Sequence, residues 1–210
     1  MLPAGEAVYT ALDTALCNPR IAAQAASLSA ECELLEANKH MPEAKLPEPW
    51  LRGSLADVPP VQRAVLHALE LAKEDLERWS TDLSEEELHA RPGGIAPVAF
   101  HLKHIVGSTD RLLTYAEGKN LTAEQISFMK AELDGESSRA ALFDQLARHW
   151  ETSANRVRSF SPEQLSEPRT VGRQQMPTTL AGLLVHVADH TMRHVGQAVT
   201  TAKVVKAARR

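Results

Sequence analysis

Aromatic residues make up only 4% of this 210-residue chain, and there are just two cysteines, Cys17 and Cys32. Both sit in the N-terminal part without C-x-x-C spacing, so neither a disulfide scaffold nor a thiolate metal site is expected, and the thiols read as reduced. No run approaches the ~18 apolar residues of a membrane span, and the first residues lack a basic stretch followed by an apolar core. The expected location is cytoplasmic, with no membrane partner. A concentrated basic face is also missing. The formal net charge is −4, and the one basic cluster, Lys203, Lys206, Arg209 and Arg210, suits a solvated helix C-terminus. A nucleic-acid partner is therefore not expected.

Several catalytic signatures are missing too. There is no G-x-S-x-G elbow, no phosphate-binding glycine loop and no paired Cys and His on one helical pattern. Thr191 follows His190 where a zinc protease of the H-E-x-x-H kind carries its glutamate base, so a peptidase is disfavoured. Any catalysis should rest on a bound metal.

What the chain does have is helical periodicity. Residues 1–50 form an N-terminal extension, with a helical patch at Ile21–Leu35 and then Met41–Pro49, whose three prolines cannot continue a helix. Residues 51–210 carry the main domain. Val61, Val65, Ala68, Leu69, Ala72, Leu76 and Trp79 recur at a helical period behind Pro59-Pro60. Ser84-Glu-Glu-Glu87 has the form of a capping box. A second long pattern runs from Pro97 to Gly118, Thr122-Ala-Glu-Gln125 caps a shorter helix, and a third long pattern spans roughly 138–159. Residues 163–178 read as a loop with room for a short hairpin. Thr178 or Thr179 then caps a last long helix, roughly 179–205. Four long amphipathic helices with polar connections predict an all-α four-helix bundle.

The last helix carries His186, His190 and His194 at steps of four. Residues four apart on a helix stack about 5–6 Å apart, close enough for two imidazoles to share one ion. On a helical projection His190 and His194 fall in the centre of the stripe of Leu183, Val187, Ala198 and Thr201. Two histidines inside a bundle are costly as packing, because an unsatisfied buried polar group costs about 1–3 kcal/mol, and a metal satisfies one nitrogen on each ring. A third ligand has to come from another helix. His101 and His104 are the nearby pair, with His101 about 60° and His104 about 120° from the centre of their apolar stripe, so periodicity alone leans to His101. His67, His40, His89 and His149 fall on polar faces or in loops and are expected at the surface.

The segments Phe100-His-Leu-Lys-His104-Ile-Val-Gly-Ser108, Leu112-Leu-Thr-Tyr-Ala-Glu-Gly118 and His186-Val-Ala-Asp-His-Thr-Met-Arg-His-Val-Gly-Gln197 resemble those of the DinB-like metal-binding superfamily, over roughly residues 55–205. The resemblance implies a bundle, commonly a homodimer, with a three-histidine site for Zn²⁺ or Ni²⁺. Carried over by position, it makes His104, His190 and His194 the ligands. His101, His186 and Gln197 become supporting or substrate-contacting residues. Val195 stands where Arg often precedes the Gly-Gln pair. The implied activity is a metal-dependent transferase acting on a small-molecule substrate with a low-molecular-weight thiol; a metal-dependent hydrolase and a non-enzymatic metal-binding or stress-response module are the alternatives.

Overall fold

The helix starts expected at Ser84, Thr122 and Thr178 or Thr179 carry the side-chain caps their sequences call for. In the computed structural model, which describes residues 46–133 and 137–209, α1 spans Pro60–Ser80 and α2 spans Glu85–His89. The helices α3 (Val98–Ala116), α4 (Ala123–Ala131), α5 (Arg139–Arg158) and α6 (Leu180–Ala207) follow. Ser84 and Glu87 exchange both capping-box bonds at 2.8 and 3.2 Å, and Thr122 and Gln125 do the same at 3.0 and 3.2 Å. Thr179, rather than Thr178, caps α6 by accepting the Gly182 N–H at 3.1 Å. Gly118 ends α3 with φ at +73°, a left-handed turn that lets its N–H reach the Tyr115 carbonyl at 2.9 Å. The hairpin is present as β1 (Pro168–Val171) and β2 (Met176–Thr179), antiparallel with Pro168 opposite Thr179.

The four long helices close a ring in which α1 lies beside α6, α6 beside α3, α3 beside α5 and α5 beside α1. Their inward faces supply Leu76, Leu102, Ile105, Leu113, Val157, Leu184 and Val187, none more than 1% exposed. Each such side chain contributes about 1.5–3 kcal/mol relative to exposure, so this core and not the polar site holds the bundle together. Before α1, Arg52 reaches back to Glu70 at 3.2 Å and Glu74 and ties the turn at Pro49–Leu51 to the first helix. The patch expected at Ile21–Leu35 lies outside the described residues.

Candidate metal centre

The middle of α6's buried face is the row Leu184, Val187, Thr191, Val195, Ala198 and Ala202. This corrects the sequence projection, which centred that face on His190 and His194. Both rings are half-buried and sit roughly 60–100° to one side of the row, because α6 is wedged between α1 and α3 and buries a broader arc than the projection assumed. The displacement brings them to the seam with α3, where His104 occupies the matching edge. A residue about 120° from its own stripe can therefore still meet two residues of the neighbouring helix.

Ligand atoms of His104, His190 and His194 all lie within 4.8 Å of one another. The ring centroids of His104 and His194 are 4.2 Å apart and those of His190 and His194 4.7 Å. Nε2 of His104 is 3.0 Å from Nε2 of His190. Nitrogens bound tetrahedrally at about 2.0–2.1 Å from one ion stand about 3.3 Å apart, so the pair needs almost no movement to hold a metal. A hydrogen bond between two rings would have a similar length; the third ring converging on the same point is what fits a cation.

Two of the three rings, those of His104 and His194, are turned by a partner on the far side. His104 Nδ1 is 2.6 Å from Glu132 Oε2; the carboxylate accepts the Nδ1–H hydrogen bond, which leaves the Nε2 lone pair facing the cluster. The other oxygen of Glu132 accepts from Arg111 Nη1 at 2.7 Å. Burial opposes ionisation of Glu132, but the bonds from His104 and Arg111 outweigh it and hold the carboxyl below the usual range. His101 is 4% exposed, and its Nδ1 is 3.1 Å from His194 Nδ1, leaving Nε2 of His194 for the cluster. Burial, followed by the repulsion of His104, pushes His101, His190 and His194 down to about 4. At neutral pH these three imidazoles are neutral and carry lone pairs. Phe100 stacks on His104 at 5.3 Å.

The other expected residues are more peripheral. His186 is exposed, its ring 5.3 Å from that of His190, and its Nδ1 is 3.9 Å from Asp189. Gln197 is exposed, with no hydrogen bond among the described residues. Two of the histidines expected at the surface are buried instead: His67, 8% exposed, is covered by the loop whose Ser54 hydroxyl lies 3.2 Å from its Nε2, and His149, 7% exposed, packs against Ser153 and Trp150. The loop over His67 lies outside the helical repeat, so a helical projection does not register it.

Glu132 and Arg111 escaped the sequence reading. One signal was present: His104, Gly107 and Arg111 follow at helical spacing on one edge, and a glycine in mid-helix flags a close approach. A Cβ on Gly107 would stand 2.5 Å from Glu132 Oε1 and 2.8 Å from Arg111 Nη1. Which carboxylate approaches was not readable.

A sequence profile of the DinB superfamily matches residues 68–198, a stretch that includes all three clustered histidines. The chain belongs to the DinB superfamily. No curated protein matches it. A crystal structure of a Streptococcus pneumoniae protein superposes with a TM-score of 0.54 at 18% identity, covering 71% of this chain and 92% of that one, which speaks for the fold alone. Membership of the DinB superfamily and the three-histidine cluster together fit a metal-binding protein. Among the described residues no helix is long and apolar enough to cross a membrane.

Proposed function

We propose that this DinB-superfamily protein binds a divalent transition metal, Zn²⁺ or Ni²⁺, through His104, His190 and His194, and transfers a group between a low-molecular-weight thiol and a small electrophile. The observation that carries the metal is the convergence of three ligand atoms within 4.8 Å, with Glu132 holding His104 in the tautomer that points its lone pair inward. Three neutral imidazoles leave most of the ion's charge uncompensated, so a bound ion would lower the pKa of a thiol or water sharply.

The thiol reading is preferred over hydrolysis on one ground. Water activation is usually helped by a carboxylate base, and both oxygens of the buried Glu132 are taken by His104 and Arg111. The carboxylate on the rim, Asp189, is paired with Arg193 at 2.6 Å. A thiol whose pKa is lowered by the ion needs no such base. The half-buried faces of His190 and His194 and the Phe100 ring supply an open, partly apolar edge for a small molecule.

The test is turnover of a panel of small thiols with alkylating electrophiles, before and after chelation and after readdition of Zn²⁺ or Ni²⁺. Thiol-dependent product that disappears with the metal and returns with it is the expected result. Thiol-independent hydrolysis, or turnover indifferent to chelator, rejects the transferase.

A further inference from the structure

A cavity of about 540 Å³ lies between α3, α4 and α5, and none of the clustered histidines lines it. Its charged lining consists of Asp110, Arg111, Glu124, Arg148, His149 and Arg156. Most of that charge is matched internally. Arg111 is bound to Glu132 at 2.7 Å; Arg156 is bound to Asp110 and to Glu117, each at 2.6 Å, and Glu117 also holds Lys119 at 3.0 Å. His149, pushed down to about 4 by burial, is uncharged at neutral pH.

Two opposite charges are left over. Arg148, on α5, forms no ion pair among the described residues. Glu124, in the first turn of α4, forms none either; its own backbone N–H and then Thr122 hold its carboxyl below the usual range, so it is ionised. The two line one cavity without reaching each other within the 4.0 Å of an ion pair. Val106, the bare backbone of Gly107 and the ring of Phe128, whose Cε1 would stand 2.7 Å from a Cβ at position 107, give the same cavity an apolar wall. Gln145 and Thr152 add neutral hydrogen-bonding groups from α5.

We propose that this cavity binds a small zwitterion with an apolar body, of the α-amino acid class, its carboxylate on Arg148, its ammonium toward Glu124 and its side chain on Phe128. An occupant with a single charge would leave one of the two lining charges unmatched, and a dianion would meet Glu124 and Asp110. The volume falls within the range of small-molecule pockets. The proposal does not rest on the metal reading, since none of His104, His190 and His194 lines the cavity.

The probe is L-phenylalanine, titrated calorimetrically into the full-length protein as purified and again after chelation, beside 3-phenylpropanoate, which lacks the ammonium, and phenethylamine, which lacks the carboxylate. The expected result is saturable one-to-one binding with a dissociation constant of about 1 mM or below, the affinity open to so few atoms. It should survive chelation, weaken about tenfold or more for each single-charge analogue, and weaken comparably in Arg148→Gln and Glu124→Gln. Both substituted residues are exposed, so the variants keep the core. Binding lost on chelation places the amino acid on the metal and overturns the proposal. So does equal binding of 3-phenylpropanoate, indifference to either substitution, or no saturable binding of phenylalanine or leucine up to about 10 mM.

Discussion

His104 and His101 differ by three positions, and their environments assign them different work. His104 has a carboxylate at 2.6 Å behind it and His190 in front, whereas His101 is buried against the back of His194. Replacing His104, His190 or His194 by Ala should abolish tight metal binding in a titration of the metal-free protein. His101→Ala should lose about 10–100-fold at most, as expected for a residue that orients a ligand. Should His101→Ala lose the ion while His104→Ala keeps it, the ligand set is wrong by one turn. Glu132→Gln should also cost about 10–100-fold, because the amide neither holds the His104 proton as firmly nor balances Arg111. The helical spacing of four made the pair on α6 legible in the sequence. The third position was legible by family pattern and not by periodicity, since a seam between two helices draws on the edge of each stripe and not its centre.

The elements follow rules that the sequence states openly where they are local. Ser84, Thr122 and Thr179 each place a helix start because their hydroxyls need only the chain three residues on, and Gly118 places an end for a similar reason. Helix α4 is different. It contains no fully buried residue, and it docks through Phe128 over Gly107 and through Gln125, which donates to Asp110 Oδ2 at 2.6 Å and to Thr114 at 2.8 Å. Nothing in its own periodicity announces that docking, which is why Glu132, the residue just past its end, stayed invisible. Gly107→Ala tests the dependence. A methyl group there meets Glu132 Oε1 at 2.5 Å and Phe128 Cε1 at 2.7 Å, so α4 must shift outward even though Ala is the better helix former. The expected outcome is a loss of about 1–3 kcal/mol in urea unfolding together with weaker metal binding. A Gly107→Ala protein that is more stable and binds metal unchanged would show that α4 is not held at this contact.

At the scale of the whole molecule, stability and pH are linked through a histidine outside the metal centre. His149 is 7% exposed, and burial pushes it from the ordinary 6.5 down to about 4, against the pull of Asp110 from α3 and with the repulsion of Arg156 on its own helix. Arg111, Arg148 and Glu124 face the same cavity. The folded state thus keeps a neutral ring where the unfolded chain takes up a proton below pH 6.5. The unfolded state binds more protons between pH 6.5 and pH 4, so stability is highest above that window and falls as the pH is lowered through it. The full effect of the drop from 6.5 to about 4 is about 3 kcal/mol at 1.36 kcal/mol per pH unit, most of it reached by pH 4.5. Urea unfolding of the metal-free protein should show the midpoint dropping between pH 7 and pH 4.5. In His149→Gln, which cannot take up the proton, the drop should be smaller by that amount. Working in chelator keeps the ligand histidines from contributing metal release to the same curve. An equal drop in both proteins would mean that the ring of His149 is already protonated in the fold and that the loss comes from groups common to both, among them His101, His190 and His194, which burial also pushes down to about 4.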